Sequence, residues 1–126
     1  KFKPGGAMLG AFKDGKVILG LSGNPGAAAT GLLCVGFPFM RKLSGRSDIT
    51  LSQATAYLGV DFKKSSPVTR ILKGHSDFKN GMLYFTPLSN QHNGSVSSMS
   101  DCDLLAVIPA GSKPLAAGDK LEVYIL

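Results

Sequence analysis

Two cysteines, two histidines and no apolar run of the roughly 20 residues a membrane helix needs set the first limits on this 126-residue chain. Neither Cys34 nor Cys102 belongs to a C-x-x-C pair, so a zinc or redox motif has no support. Both are expected to pack as small apolar residues, in the reduced state that suits a cytoplasmic protein; a single disulfide between them is the alternative. His75 and His92 stand in polar stretches without a second ligand at metal spacing, so no metal site is expected from them. No signal-peptide pattern opens the chain, and no internal repeat or low-complexity tract runs through it. It begins at Lys1 rather than Met, as expected of a piece of a longer protein. With 44% hydrophobic and 17% charged residues the composition is that of a folded domain, not a disordered segment.

What is present is unevenly placed. Residues 1–47 carry seven basic groups (Lys1, Lys3, Lys13, Lys16, Arg41, Lys42, Arg46) against one acid, Asp14, while residues 48–126 balance seven against seven. The whole net charge of +6 therefore falls in the first third, a field that attracts phosphates and other anions. Nucleic acid is a weaker reading, because the basic segment has no interleaved aromatics and no helix–turn–helix or RNA-binding motif.

The first segment reads as strand, turn and helix. The apolar run Lys16–Leu21 is long enough for a buried strand; Ser22-Gly23-Asn24-Pro25 breaks it. Asn24 suits an N-cap through its side-chain oxygen, and Pro25 suits the first helical position. Helical spacing continues through Leu43, with Pro38 predicting a kink or a break near Gly36 or Phe37 and Gly45 a left-handed cap. Beyond a boundary at Ser44–Asp48 the pattern becomes short strands: Ser52–Phe62 interrupted at Gly59, Val68–Leu72, Met82–Thr86 after the Asn80-Gly81 turn, Leu104–Ile108, and Lys120–Leu126. The expected architecture is α+β: residues 1–47 as the C-terminal strand–helix unit of an α/β domain, and residues 48–126 as a small all-β, barrel-like domain.

The turn Gly20-Leu21-Ser22-Gly23-Asn24-Pro25 is the most informative stretch. A strand feeding a glycine turn and a helix start presents backbone N–H groups at one point, and Gly23 lets a ligand approach the backbone. It also approximates the G-x-S-x-G nucleophile elbow, with Asn24 in place of the last glycine. A serine hydrolase, however, needs a broad parallel sheet, and only one candidate parallel strand is present.

Lys3-Pro4-Gly5, the run Gly15–Pro25, Pro38 and Leu43-Ser44-Gly45 together resemble the end of the third domain of MoeA-type molybdopterin molybdenumtransferases and of the gephyrin E domain. Ser66-Pro67-Val68-Thr69-Arg70, Gln91-His92-Asn93-Gly94-Ser95 with Ser97-Ser98-Met99, Asp103–Pro109 and Leu115–Asp119 are similar, in order and spacing, to that family's C-terminal β domain. The resemblance implies a role in molybdenum cofactor biosynthesis: molybdate is inserted into adenylylated molybdopterin, a pterin nucleotide anion, and AMP is released. It implies a magnesium ion held by acidic residues outside this chain, a homodimer in the full-length protein, and a molybdopterin-binding-like character for residues 1–47. By the same resemblance Lys3 is the candidate catalytic residue, facing anionic substrate. It likewise implies that Asn24 and Pro25 line the pterin or molybdate pocket; Ser22 and Gly23 of the same turn, and Ser95, in a polar loop with Gln91 and Asn93, are candidate substrate contacts. Two positions depart from the family pattern. Gly6 stands where a second lysine is usual, removing a charge that offsets anionic substrate, and Ser22 replaces a proline, loosening the turn while adding a hydroxyl. The chain by itself is accordingly expected not to insert molybdenum, and a non-catalytic pterin- or protein-binding module of the same family is the alternative function.

Overall fold

The computed structural model describes residues 2–4 and 6–126. Its centre is a closed five-stranded barrel formed by β4 (Gln53–Leu58), β5 (Thr69–Lys79), β6 (Met82–Pro87), β7 (Leu104–Ile108) and β8 (Lys120–Ile125). The order is β5-β6-β4-β8-β7, and β7 pairs back onto β5 to close the ring, which leaves none of the five as a free edge along its whole length. A two-residue strand, β1 (Phe2–Lys3), adds in parallel to the start of β5, with Lys3 opposite Arg70. The all-β expectation for the second half is met as a barrel.

Alternation explains the closure. In β8, Leu121 and Val123 point inward between exposed Lys120 and Glu122. They join Ala56, Leu58, Leu72, Phe85, Leu104, Ala106 and Ile108 in one core. β5 runs eleven residues, past the Leu72 limit that its apolar content suggests. Its first half pairs with β7 and its second with β6, and Gly74 is the corner, opposite both Leu104 and Pro87. The extension Gly74–Lys79 reads as polar because it leaves the core as a hairpin. That hairpin turns at Asn80 and Gly81, with φ of 52° and 76°, the left-handed pair a tight two-residue turn requires.

Besides β1, the first third contains a second strand that its pattern does not suggest, β2 (Leu9–Lys13). β3 (Lys16–Gly20) pairs antiparallel with β2 through a turn at Asp14 and Gly15, also both left-handed at φ 51° and 71°. The expectation of a buried strand at Lys16–Leu21 is corrected: β3 has only this hairpin partner among the described residues, and Ile18 is 60% exposed. The helix follows as α1 (Pro25–Gly31), a π-type turn (Leu32–Gly36) and α2 (Phe37–Leu43). Pro38 is accommodated without a break, because the π turn shifts bonding to Phe37 N–H donating to Leu32 C=O, five residues back. The helix ends as expected at Gly45, φ 78°: Arg46 N–H donates to Arg41 C=O and Gly45 N–H to Lys42 C=O, the paired bonds of a Schellman cap. The Asn24 expectation is corrected in part: it holds the N-cap position, and its carbonyl accepts the Ala28 N–H, but its side chain makes no capping bond. No helix of the described residues is long and apolar enough to cross a membrane.

Candidate functional site

An apolar cavity of about 270 Å³ lies between Leu33, Cys34 and Pro38 of the helical segment and Ile71, Val107 and Tyr124 of the barrel strands. The polar chemistry lies elsewhere. A second cavity, of about 230 Å³, is lined by Lys3, Pro4, Phe62, Lys64, Arg70, Gln91 and Asn93 together with Ile71 and Leu72 of β5. Its lining holds three cations together with Gln91 and Asn93, and no acid. Arg70 is held in place by the Phe62 ring, its guanidinium carbon 5.7 Å from the ring centroid, a cation–π contact that pre-orients the fork. Phe62 is in turn fixed by its backbone pairing with Leu115, in the segment between β7 and β8.

Gln91 builds the next part. Where β1 ends, its side-chain amide continues the edge of β5: Oε1 accepts the Lys73 N–H at 3.1 Å, and Nε2 donates to Lys73 C=O at 2.6 Å and Leu88 C=O at 2.9 Å. The loop after it is drawn onto the barrel by Lys73 itself, whose side chain is buried at 1% exposure. Lys73 Nζ donates to His92 C=O at 3.1 Å and to Ser98 Oγ at 2.6 Å, and Ser98 Oγ donates to Ser95 C=O at 2.7 Å. Asn93, between those anchors, lines the cavity and accepts the Gly26 N–H on its carbonyl at 2.7 Å. Its Oδ1 is buried without a hydrogen-bond partner among the described residues.

The candidate residues therefore fall into two linked groups. Lys3 is exposed and lines the cation cavity directly. Gly23, Asn24 and Pro25 are exposed at the bend, and Ser22 is half-buried, its Oγ accepting the Asn24 N–H at 3.3 Å. The bend meets the cavity through the Gly26–Asn93 bond, which also occupies one of the amides at the start of the helix. Ser95 is half-buried in the same loop, its hydroxyl 2.6 Å from that of Ser97. Sequence reasoning did not single out Lys64, Arg70 or Lys73. Their signal was weak because residues 48–126 are neutral in sum, and only the closure of the barrel places Lys64 and Arg70 beside Lys3. Among the described residues no three His, Cys, Asp or Glu side chains are grouped to hold a metal ion.

Burial pushes the Lys73 ammonium below the usual lysine value, with a smaller opposing pull from Cys102. The folded chain thus holds this proton less tightly than the unfolded chain, so stability rises with pH across the window between the depressed value and the ordinary ~10.4. The Cys34 and Cys102 thiols, raised chiefly by burial, act in the opposite sense above about pH 8.5. Urea denaturation through the alkaline range isolates the lysine: the wild-type chain should gain stability relative to Lys73→Met as pH rises. A flat or falling difference contradicts the unfavourable burial of that charge.

Residues 55–126 match the family model described as the MoeA C-terminal region (domain IV). Over 123 residues the chain is 29% identical to the molybdopterin molybdenumtransferase of Staphylococcus epidermidis and 28% identical to that of Staphylococcus aureus, covering 98% of this chain and 29% of each relative. The chain thus spans less than a third of the curated relatives it matches. In structure it is similar to the molybdopterin biosynthesis moeA protein of Pyrococcus horikoshii OT3, with TM-score 0.75, 18% identity, and coverage of 99% of this chain and 30% of that one. It is likewise similar to a molybdenum cofactor biosynthesis protein of Pyrococcus furiosus, with TM-score 0.74, 18% identity, and coverage of 99% and 43%.

Proposed function

Because the chain belongs to the MoeA C-terminal region family, we propose that it serves molybdenum cofactor biosynthesis as the C-terminal part of a molybdopterin molybdenumtransferase, forming the wall against which an anionic pterin nucleotide rests. The observation that carries this reading is the cavity where Lys3, Lys64 and Arg70 converge with Gln91 and Asn93 and without an acid. Molybdate, the pterin phosphate and AMP are all anions. A guanidinium in cation–π contact with Phe62 suits bidentate contact with a phosphate, while the two lysines supply charge that tolerates several positions of the ligand. In the full reaction, insertion of molybdate into adenylylated molybdopterin with release of AMP, these groups would offset charge on the leaving phosphate. Lys3 has the role of facing that charge, and Ser22 to Pro25 and Ser95 border the same ligand from the bend and the loop. Magnesium is assigned to residues outside this chain, as is the rest of the active site, and the full-length protein is read as a homodimer in the cytoplasm.

Calorimetry with AMP tests the reading. The chain is expected to bind AMP with a salt-sensitive affinity. Arg70→Ala should weaken it about tenfold or more, the scale of one charge-assisted hydrogen bond, and Lys3→Ala and Lys64→Ala should weaken it less. Supplied with adenylylated molybdopterin and molybdate, the chain alone is expected to bind without releasing AMP. Absence of AMP binding at millimolar concentration, or equal affinity in the Arg70 variant, would remove the basis for the proposal.

The second reading, a non-catalytic pterin- or protein-binding module, draws on Gly6, which leaves this segment one cation short of the family pattern. Binding that persists while a full-length relative given glycine and serine at the positions of Gly6 and Ser22 loses turnover would favour it.

A further inference from the structure

We propose that Lys73 is a positioning residue that sets where Asn93 and the bend before α1 stand relative to the cation cavity. Lys73 is not among the residues lining that cavity, and its side chain is sealed from solvent. No carboxylate pairs with it among the described residues, so its burial is costly. What the ammonium gains is two anchors that bracket Asn93. One is the His92 carbonyl, immediately before it; the other is Ser98 Oγ, which passes the bond on to the Ser95 carbonyl two residues after it. Residues 90–95 form no helix or strand, so this clamp and the Gln91 amide are what fix the loop to the barrel.

The clamp reaches the helix as well. Asn93 C=O takes the Gly26 N–H at 2.7 Å. A Cβ at Gly26 would stand 3.2 Å from both Cα and O of Asn93 and 3.3 Å from Ser98 Oγ, so helix and loop are in direct backbone contact with little clearance. A shift of the loop therefore moves the start of α1, and with it Asn24 and Pro25. One buried cation on β5 thus transmits the barrel's geometry to both halves of the site. The consequence for ligand binding rests on the anion-binding reading above; the consequence for the loop does not.

Hydrogen exchange of the Gly26 amide, compared with that of Leu58, whose N–H bonds to Asp119 C=O within the barrel domain, separates the clamp from general stability. In the full 126-residue chain, Lys73→Met should speed Gly26 exchange about tenfold or more while Leu58 is unchanged, and should weaken AMP binding by about the same factor. Lys73→Arg, which keeps donors at the end of a long stem, should retain both properties. If Lys73→Met does not fold, Ser98→Ala removes one of the two anchors and should speed Gly26 exchange on its own. Unchanged Gly26 exchange in the folded variant overturns the positioning role. Faster exchange with undiminished AMP affinity overturns its link to the site. A wild-type chain that fails to bind AMP while Gly26 still responds to Lys73→Met discards the proposed function and supports the clamp.

Discussion

Replacing Phe85 by alanine should cost about 3–5 kcal/mol, a large share of the stability of a domain this size. Phe85 is fully buried on β6 and is the largest apolar side chain in the barrel core. β6 lies between β5 and β4, with Phe85 opposite Ser76 on one and Leu58 on the other. Its backbone carbonyl also accepts the Gly59 N–H at 2.8 Å, where β4 ends. Removing the ring therefore empties the centre of a closed wall. The surrounding strands are tied in a ring and have little freedom to collapse into the space, the condition under which the cavity penalty is largest. Urea denaturation monitored by far-ultraviolet circular dichroism measures it. A loss under about 1.5 kcal/mol would mean that the barrel closes around a smaller core without this ring.

Gly74→Ala should be nearly as damaging, at about 2–3 kcal/mol, although it adds a single methyl group. Gly74 is the corner at which β5 exchanges β7 for β6 as its partner. A Cβ there would lie 2.2 Å from Phe85 Cε2, 2.5 Å from Cζ and 2.7 Å from the backbone oxygen of Thr86. The ring has no open side to move into, and the carbonyl belongs to the sheet, so neither yields cheaply. The two substitutions should not add. With Phe85 already alanine, the ring contact is gone and only the Thr86 carbonyl opposes the methyl group, so Gly74→Ala should cost less in that background. A double-mutant cycle reads this coupling directly. Strict additivity would show that the ring does not occupy the space the absent side chain leaves. Because Lys73 precedes the corner, such a variant also tests whether the loop-holding ammonium depends on the bend beside it.

Much of the barrel was legible in advance. Leu104–Ile108 is a continuous apolar run because it is covered on both faces, and Lys120–Ile125 alternates because only one face meets the core. Asn80-Gly81 marked its hairpin correctly because few other residue pairs tolerate two left-handed conformations in succession. Asp14-Gly15 carries the same signal beside a strand whose own pattern is weak. The strand before it, Leu9-Gly10-Ala11-Phe12-Lys13, is short and glycine-containing, and it has no buried face to impose a period on its residues.

The site divides along the same line. By itself the sequence determined the local backbone: the glycine bend before the helix, the left-handed cap at Gly45, the turns, and the periodicity of strands that bury one face. Those properties are set by steric limits on φ and by hydrogen bonds among near neighbours, so they are written within a few residues of where they act. Tertiary structure decided the rest. Lys64 and Arg70 reach Lys3 only because β1 lies beside β5 and the chain bridges from Phe62 to Leu115. Lys73 became a buried clamp only because a loop 19 to 25 residues further on supplied its two acceptors. Attraction between charge and dipole depends on distance in space, and the closing of the barrel is what fixes that distance.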